Sequence, residues 1–145
     1  MSSLSLSSSS CSGGQQRLPL VVRKILVAGD RYYDKENVIE RELRKYNPNT
    51  TLLIHGACVG ADMLADKVAR RLGWIHIKSY PVDWSQRIWR KGPQRNARML
   101  REQQPDEVII FHPNLHHSKG SLDMFNKASK YVATRPGCVV RLIVD

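Results

Sequence analysis

The sequence predicts an α/β fold, a Rossmann-like three-layer sandwich around a five-stranded, mainly parallel sheet. Three observations carry this. Short, almost continuously apolar runs recur along the chain, as strands buried on both faces require. Amphipathic stretches of helical period separate them, the alternation of a doubly wound fold. The chemically unusual residues cluster just after the apolar runs, where an open parallel sheet binds its ligands.

The elements follow in order. Residues 21–28 (VVRKILVA) read as the first strand. Asp34 is suited to cap a helix from Lys35 to about Tyr46, with Val38, Ile39, Leu43 and Tyr46 on its inner face. Pro48 and Asn49 mark a turn before the second strand, residues 51–55. Ala61, Leu64, Ala65, Val68, Ala69 and Leu72 keep the i, i+3, i+4 spacing of a helix through three turns, and Gly73 stands where a helix-ending glycine belongs. Residues 75–80 form the third strand. Pro93 suits the first turn of a third helix reaching about Gln103. Residues 107–111 are the fourth strand. Ser121 opens a helix carrying Leu122, Phe125, Ala128 and Val132, and residues 138–144 complete the sheet.

Residues 1–20 are of different composition, with serines at positions 7 to 10 followed by Ser12, Gly13 and Gly14. So few large apolar groups cannot offset the entropy of ordering, which predicts a disordered tail ahead of one folded domain over 21–145. The serine content, with no acidic residue before Asp30, also suits a transit peptide or an artificial leader, so organelle targeting stays open; there is no apolar core of a secretory signal. The chain of 145 residues has no apolar run of the ~20 residues that span a bilayer. Cys11, Cys58 and Cys138 are odd in number and far apart. That pattern argues against a disulfide framework and a structural zinc site, and for a reducing, cytoplasmic setting. The formal net charge of +10 favours anionic partners without choosing among nucleotides, nucleic acid and acidic surfaces.

Four loops are expected on one rim. Gly29, Asp30 and Arg31 follow the first strand. The string HGACVGAD, residues 55–62, follows the second and runs straight into a helix; its glycines let a backbone approach an anion, with a tight turn capped by Asp62 as the plainer reading. It is neither a P-loop nor GxGxxG. Asp83 and Trp84 follow the third strand, and the tryptophans 84 and 89 suit either stacking on a base or packing. The stretch KGPQRNAR, residues 91–98, sets Arg95 and Asn96 in an expected first helical turn, where a guanidinium can fork onto phosphate. Ser118, Lys119, Gly120 and Ser121 repeat the theme of hydroxyl, cation and glycine at a helix start. His116 and His117 read as exposed, Cys58 as a small buried thiol, and Asp123 as support for the helix terminus.

Taken together, a GSR-like turn, HGxxxGAD, DW, GPxRNxxM and SKG followed by Ser or Thr resemble the SLOG superfamily, in particular its DUF2493 or YspA-like branch related to YpsA. The resemblance covers residues 24–144. It implies a Rossmann-like fold and a nucleotide-type ligand, a nucleotide sugar, ADP-ribose or NAD-like; separately, the residue pattern leads us to expect no metal site. The family's ligand contacts would fall on Gly29, Arg31, Gly56, Gly60, Asp62, Asp83, Arg95, Asn96, Ser118, Lys119 and Gly120. Two departures are visible: Asp30 replaces the serine of GSR, and Ala57 replaces a glycine. The PGGxGTxxE motif of cytokinin-nucleotide relatives is absent, so their glutamate chemistry does not transfer.

Three functions fit. The first is a sensor or processor that binds a nucleotide-derived ligand at the C-terminal edge of the sheet. The second is a hydrolase cleaving an N-glycosidic or phosphate bond of such a ligand, with Asp83 as candidate base. The third is a nucleic-acid-binding module, which should spread its cations over an outer face. A homo-oligomer is compatible with all three.

Overall fold

The computed structural model describes residues 20–82 and 91–145; the serine-rich segment 1–19 and residues 83–90, among them Asp83, Trp84 and Trp89, lie outside the described residues. Strands and helices alternate as β1 (Arg23–Gly29), α1 (Glu36–Leu43), β2 (Thr51–His55), α2 (Ala61–Arg71), β3 (His76–Ser79), α3 (Lys91–Gln103), β4 (Glu107–Phe111), α4 (Lys119–Ala133) and β5 (Val139–Ile143). A single 3-10 turn, Leu115–His117, precedes α4.

The five strands form one sheet in the order β3-β2-β1-β4-β5, and every pairing is parallel. This is the Rossmann-like arrangement the alternation predicts. β1 is central, with Val27 opposite His55 of β2 and Ile109 of β4. The chain first winds outward from β1 to β3, then returns to β4 on the other side of β1. The C-terminal ends of β1 and β4 therefore diverge into opposite connections, which opens a crevice between them.

Strand side chains alternate between two cores. Ile25, Val27, Leu53, Ile109 and Phe111 pack with Val38, Ile39 and Leu43 of α1 and Ala65, Val68 and Ala69 of α2. Leu26, Ile54, Val108 and Ile110 pack with Met99 and Leu100 of α3 and Met124 and Ala128 of α4. β4 is buried at all five positions, which is why its sequence shows no polar alternation.

Helix boundaries differ from the periodicity in instructive ways. Lys35, not Asp34, occupies the position before α1, and no side chain caps that end. α1 stops at Leu43 because Tyr46 turns inward: its ring meets Trp74 edge-on and its hydroxyl donates to Glu107 at 2.5 Å. α3 starts two residues before Pro93, and α4 starts at Lys119 with Ser118 as its cap. Among the described residues no helix is long and apolar enough to cross a membrane.

The edge of the sheet away from the crevice holds a buried ionic network. Arg141 of β5 donates to Glu42 of α1 at 2.7 Å, to Glu107 of β4 at 2.6 Å and to the Tyr46 hydroxyl at 3.2 Å. Burial pushes both carboxyls up, but the hydrogen bonds and charges around them outweigh it and hold both below their ordinary value. A carboxyl depressed in the folded state stabilises fully above its unfolded pKa and loses that contribution as pH falls through the folded value. Urea unfolding is accordingly expected to show stability level above about pH 5 and falling below about pH 4, since a free glutamate titrates near 4.3. Equal stability at pH 5 and pH 3 would mean that these carboxylates carry no net pairing energy.

Candidate functional site

A cleft of about 400 Å³ opens at the crevice where β1 and β4 diverge. Its floor is apolar, made by Ala28, Met99 and Met124, and its polar wall includes Arg31, Asn96 and Ser118. Of the residues singled out from sequence, Gly29, Arg31, Asp62, Arg95, Asn96, Ser118 and Gly120 line it together. They come from the end of β1 and the starts of α2, α3 and α4, elements brought to one rim by the parallel sheet.

Gly56, Gly60 and Lys119 are not part of the lining. Gly56 lies behind it, where an added Cβ would stand 2.3 Å from the Arg95 guanidinium. Gly60 has φ +94°, and a Cβ there would stand 2.3 Å from the Asp30 carbonyl oxygen. Gly29 is closed in by the Phe111 carbonyl at 2.4 Å and Ala61 Cβ at 2.6 Å. Each of these glycines is explained by the chain's own close approach. Gly120 differs: nothing lies within 4 Å of a Cβ built there and its φ is unremarkable, so protein packing does not call for glycine.

Several polar side chains serve the frame of the cleft. The Asp62 carboxylate reaches back to accept from the amides of Gly56 at 2.8 Å and Cys58 at 3.4 Å, so it braces the loop and does not cap α2. Burial raises its pKa above the usual carboxylate range, opposed by the charge of Arg95 and by those two amides. Behind it, His55 Nδ1 accepts from the Ala57 amide at 3.0 Å, which places the ring proton on Nε2, 2.6 Å from Asp66. This pair holds Ala57 at φ +58°, a conformation a non-glycine residue rarely adopts. The Asp66 partner had no local sequence signal; it is simply one more polar residue of an amphipathic helix.

Arg95 falls in the second turn of α3, because the helix begins at Lys91. Its guanidinium donates to the carbonyls of Gly56 at 2.5 Å and Tyr80 at 3.2 Å, tying α3 to the ends of β2 and β3. It also donates to Cys58 Sγ at 3.4 Å and to Asn96 Oδ1 at 3.1 Å. Asn96 in turn donates to the Gly120 carbonyl and to Asp123, joining α3 to the start of α4. Arg31 is placed differently. It lies on the rim, exposed, with its guanidinium over the Tyr32 ring and no ion pair among the described residues.

The start of α4 is prepared for an anion. Ser118 Oγ accepts from the Ser121 amide at 3.3 Å, and the Leu122 amide takes the Ser118 carbonyl. The amides of Lys119 and Gly120 have no acceptor among the described residues. Helix amides left over in this way point toward the space before the helix and carry its positive dipole end. α2 begins on the opposite wall at Ala61, after Val59, which also lines the cleft. His116 and His117 sit exposed in the 3-10 turn, off the lining. Among the described residues no group of three or more His, Cys, Asp or Glu is arranged to hold a metal.

Val59 and Met124 line the cleft without having been singled out, and Ala57, Cys58, Met99 and Ser121 do so without having been counted among the expected ligand contacts. Met99 and Met124 had only a core signal, and their exposure at the crevice depends on where two helices separate.

Comparison with known families matches residues 23–86 to the model described as the YspA, cpYpsA-related SLOG family. Nothing among the curated proteins or the solved structures matches the chain.

Proposed function

We propose, for a chain whose residues 23–86 belong to the YspA- and YpsA-related SLOG family, that the cleft binds a nucleotide-derived anion such as a nucleotide sugar, ADP-ribose or an NAD-like molecule. The family's broad association is with nucleotide and ligand sensing. The observation that carries the reading is the start of α4. Two helix amides without acceptors among the described residues, the open space at Gly120 and the guanidinium of Arg31 stand around one apolar-floored cleft. The phosphate would sit against the Lys119 and Gly120 amides with Arg31 closing over it, and the base or sugar would lie on Met99 and Met124. A volume of about 400 Å³ suits a ligand of nucleotide size. Binding is the reading preferred to hydrolysis on the described lining, whose carboxylate Asp62 is committed to two backbone amides; Asp83, the candidate base, lies outside the described residues.

The test is calorimetry with ADP-ribose, NAD and nucleoside monophosphates, after native mass spectrometry of the freshly purified protein to look for a co-purifying nucleotide. Arg31→Ala is expected to weaken binding by about 1.5–3 kcal/mol, the range for a hydrogen bond to a charged group, with thermal stability unchanged. Gly120→Ala is expected to do two opposite things. It should stabilise the helix by up to about 1 kcal/mol, because alanine is the better helix former, while reducing affinity at least tenfold by filling the phosphate approach. Affinity unaltered in both variants would remove this end of the cleft from the ligand site.

A further inference from the structure

The four helices carry charge very unequally. α3 and α4, which cover one face of the sheet, hold seven Lys and Arg side chains against two carboxylates. α1 and α2, which cover the other, hold four against five. The pairing is unequal too. On the α1 and α2 side the cations are largely neutralised at home: Arg44 by Glu40, Lys67 by Glu36, Arg70 by Asp66, and Arg71 by both Glu36 and Glu40. On the α3 and α4 side Arg98 pairs with Glu102 and Lys127 with Asp123, but Arg101 and Lys130 have no ion pair among the described residues.

These cations face outward. α3 buries Asn96, Met99 and Leu100, so helical spacing turns Arg98 and Arg101 to solvent; α4 buries Ser121, Met124 and Ala128, which turns Lys130 outward. All three are exposed, as is Lys78 of β3 on the same side of the sheet, where it and Arg98 lie over the Tyr80 ring. Even without Arg95, which lines the cleft, α3 and α4 carry six cations against two carboxylates, an excess that the α1 and α2 side lacks.

We propose that the α3–α4 face binds the phosphate backbone of a nucleic-acid duplex without reading its sequence. Charge complementarity argues for a polyanion, since unpaired Lys and Arg release the counterions of a phosphate backbone. Two absences in the described surface choose among polyanions. Among the described residues α3 and α4 themselves carry no large exposed apolar side chain, so these helices have nothing to insert into a bilayer. The aromatic rings of α4, Phe125 and Tyr131, are half-buried, and Arg135 covers the Tyr131 ring, so neither is open for the bases of a single strand to stack on. What the described residues offer is a helical layer whose cations meet phosphates.

The experiment is fluorescence anisotropy of the full chain with a labelled 20-base-pair DNA duplex across a salt series. Binding is expected to weaken linearly in log affinity against log salt. The variant R98Q/R101Q/K130Q should lower affinity at least tenfold and reduce the slope by roughly 0.9 for each phosphate no longer neutralised. The charge-matched variant R44Q/K67Q/R71Q, on the opposite face, should change affinity less than twofold. Circular dichroism melting verifies that both variants fold. Equal losses in the two variants would overturn the proposal, because net charge and not a face would then be responsible. So would tighter binding to a single strand of the same length, or to vesicles rich in anionic lipid that compete the duplex away. None of the three substituted residues of the first variant lines the cleft, so nucleotide binding there is expected to survive whatever this result.

Discussion

Arg141→Met is expected to destabilise the protein by about 3 kcal/mol. Removing one partner of a buried ionic cluster strands the others, and such losses usually amount to about 3–5 kcal/mol; the arginine here is partly open to water, which sets the value at the low end. The carboxylates it leaves behind are Glu42 and Glu107, both almost fully buried. Lys45 still reaches Glu42 and Arg23 still reaches Glu107, so the loss is partial for each. Urea denaturation at pH 7 measures the difference. At low pH the gap should narrow, because protonated carboxyls no longer need the guanidinium. The phenol of Tyr46, pushed up to about 12 by burial and by Glu107, stays a donor throughout this range. A loss under about 1 kcal/mol would show the network to be dispensable.

Gly60→Ala should cost as much or more, for a different reason. An alanine at φ +94° pays backbone strain of roughly 1–3 kcal/mol. Its Cβ would also meet the Asp30 carbonyl oxygen at 2.3 Å and the Arg31 carbonyl at 2.5 Å, which are backbone atoms that no rotamer change can move aside. Relieving such overpacking typically costs about 1–3 kcal/mol more. Gly73 separates the two contributions. It has a similar φ of +87° with nothing within 4 Å of a Cβ, so Gly73→Ala should show the strain alone. Thermal melts of the two variants therefore differ by the steric part together with the added strain of ψ −130° at Gly60. Because the obstructed atoms belong to the loop bearing Arg31, Gly60→Ala should also impair ligand binding, whereas Gly73→Ala should not. Equal melting losses at the two glycines would mean that the β1 loop yields freely.

The fold was legible because its signals are local. The run EVIIF announces a strand buried on both faces, and the spacing of Ala61, Ala65, Val68 and Ala69 announces a helix with one apolar stripe. Once such elements alternate, a parallel sheet follows, and with it a single rim for the loops after each strand. That is how Gly29, Arg31, Asn96, Ser118 and Gly120 could be gathered to one cleft from stretches as far as ninety positions apart. Element ends were less legible. Tyr46 keeps helical spacing with Leu43 yet leaves α1, because a hydroxyl partner on β4 and a ring contact with Trp74 outweigh one more helical turn.

The sequence by itself determined the layers, the parallel sheet, the shared rim of the loops and the excess of positive charge. Which polar groups remain available for a ligand was decided only by the tertiary structure. Arg31 and Arg95 look alike in sequence, each beside a glycine-bearing loop. In the fold Arg95 is held by the Gly56 and Tyr80 carbonyls just beyond β2 and β3, while Arg31 stands at the rim over Tyr32 with no ion pair among the described residues. The reason is separation along the chain. Arg95 meets the Gly56 carbonyl across 39 residues, and Arg141 meets Glu42 across 99. Such partners exist only after the strands have taken the order β3-β2-β1-β4-β5, and a periodicity of two or 3.6 residues carries no trace of them.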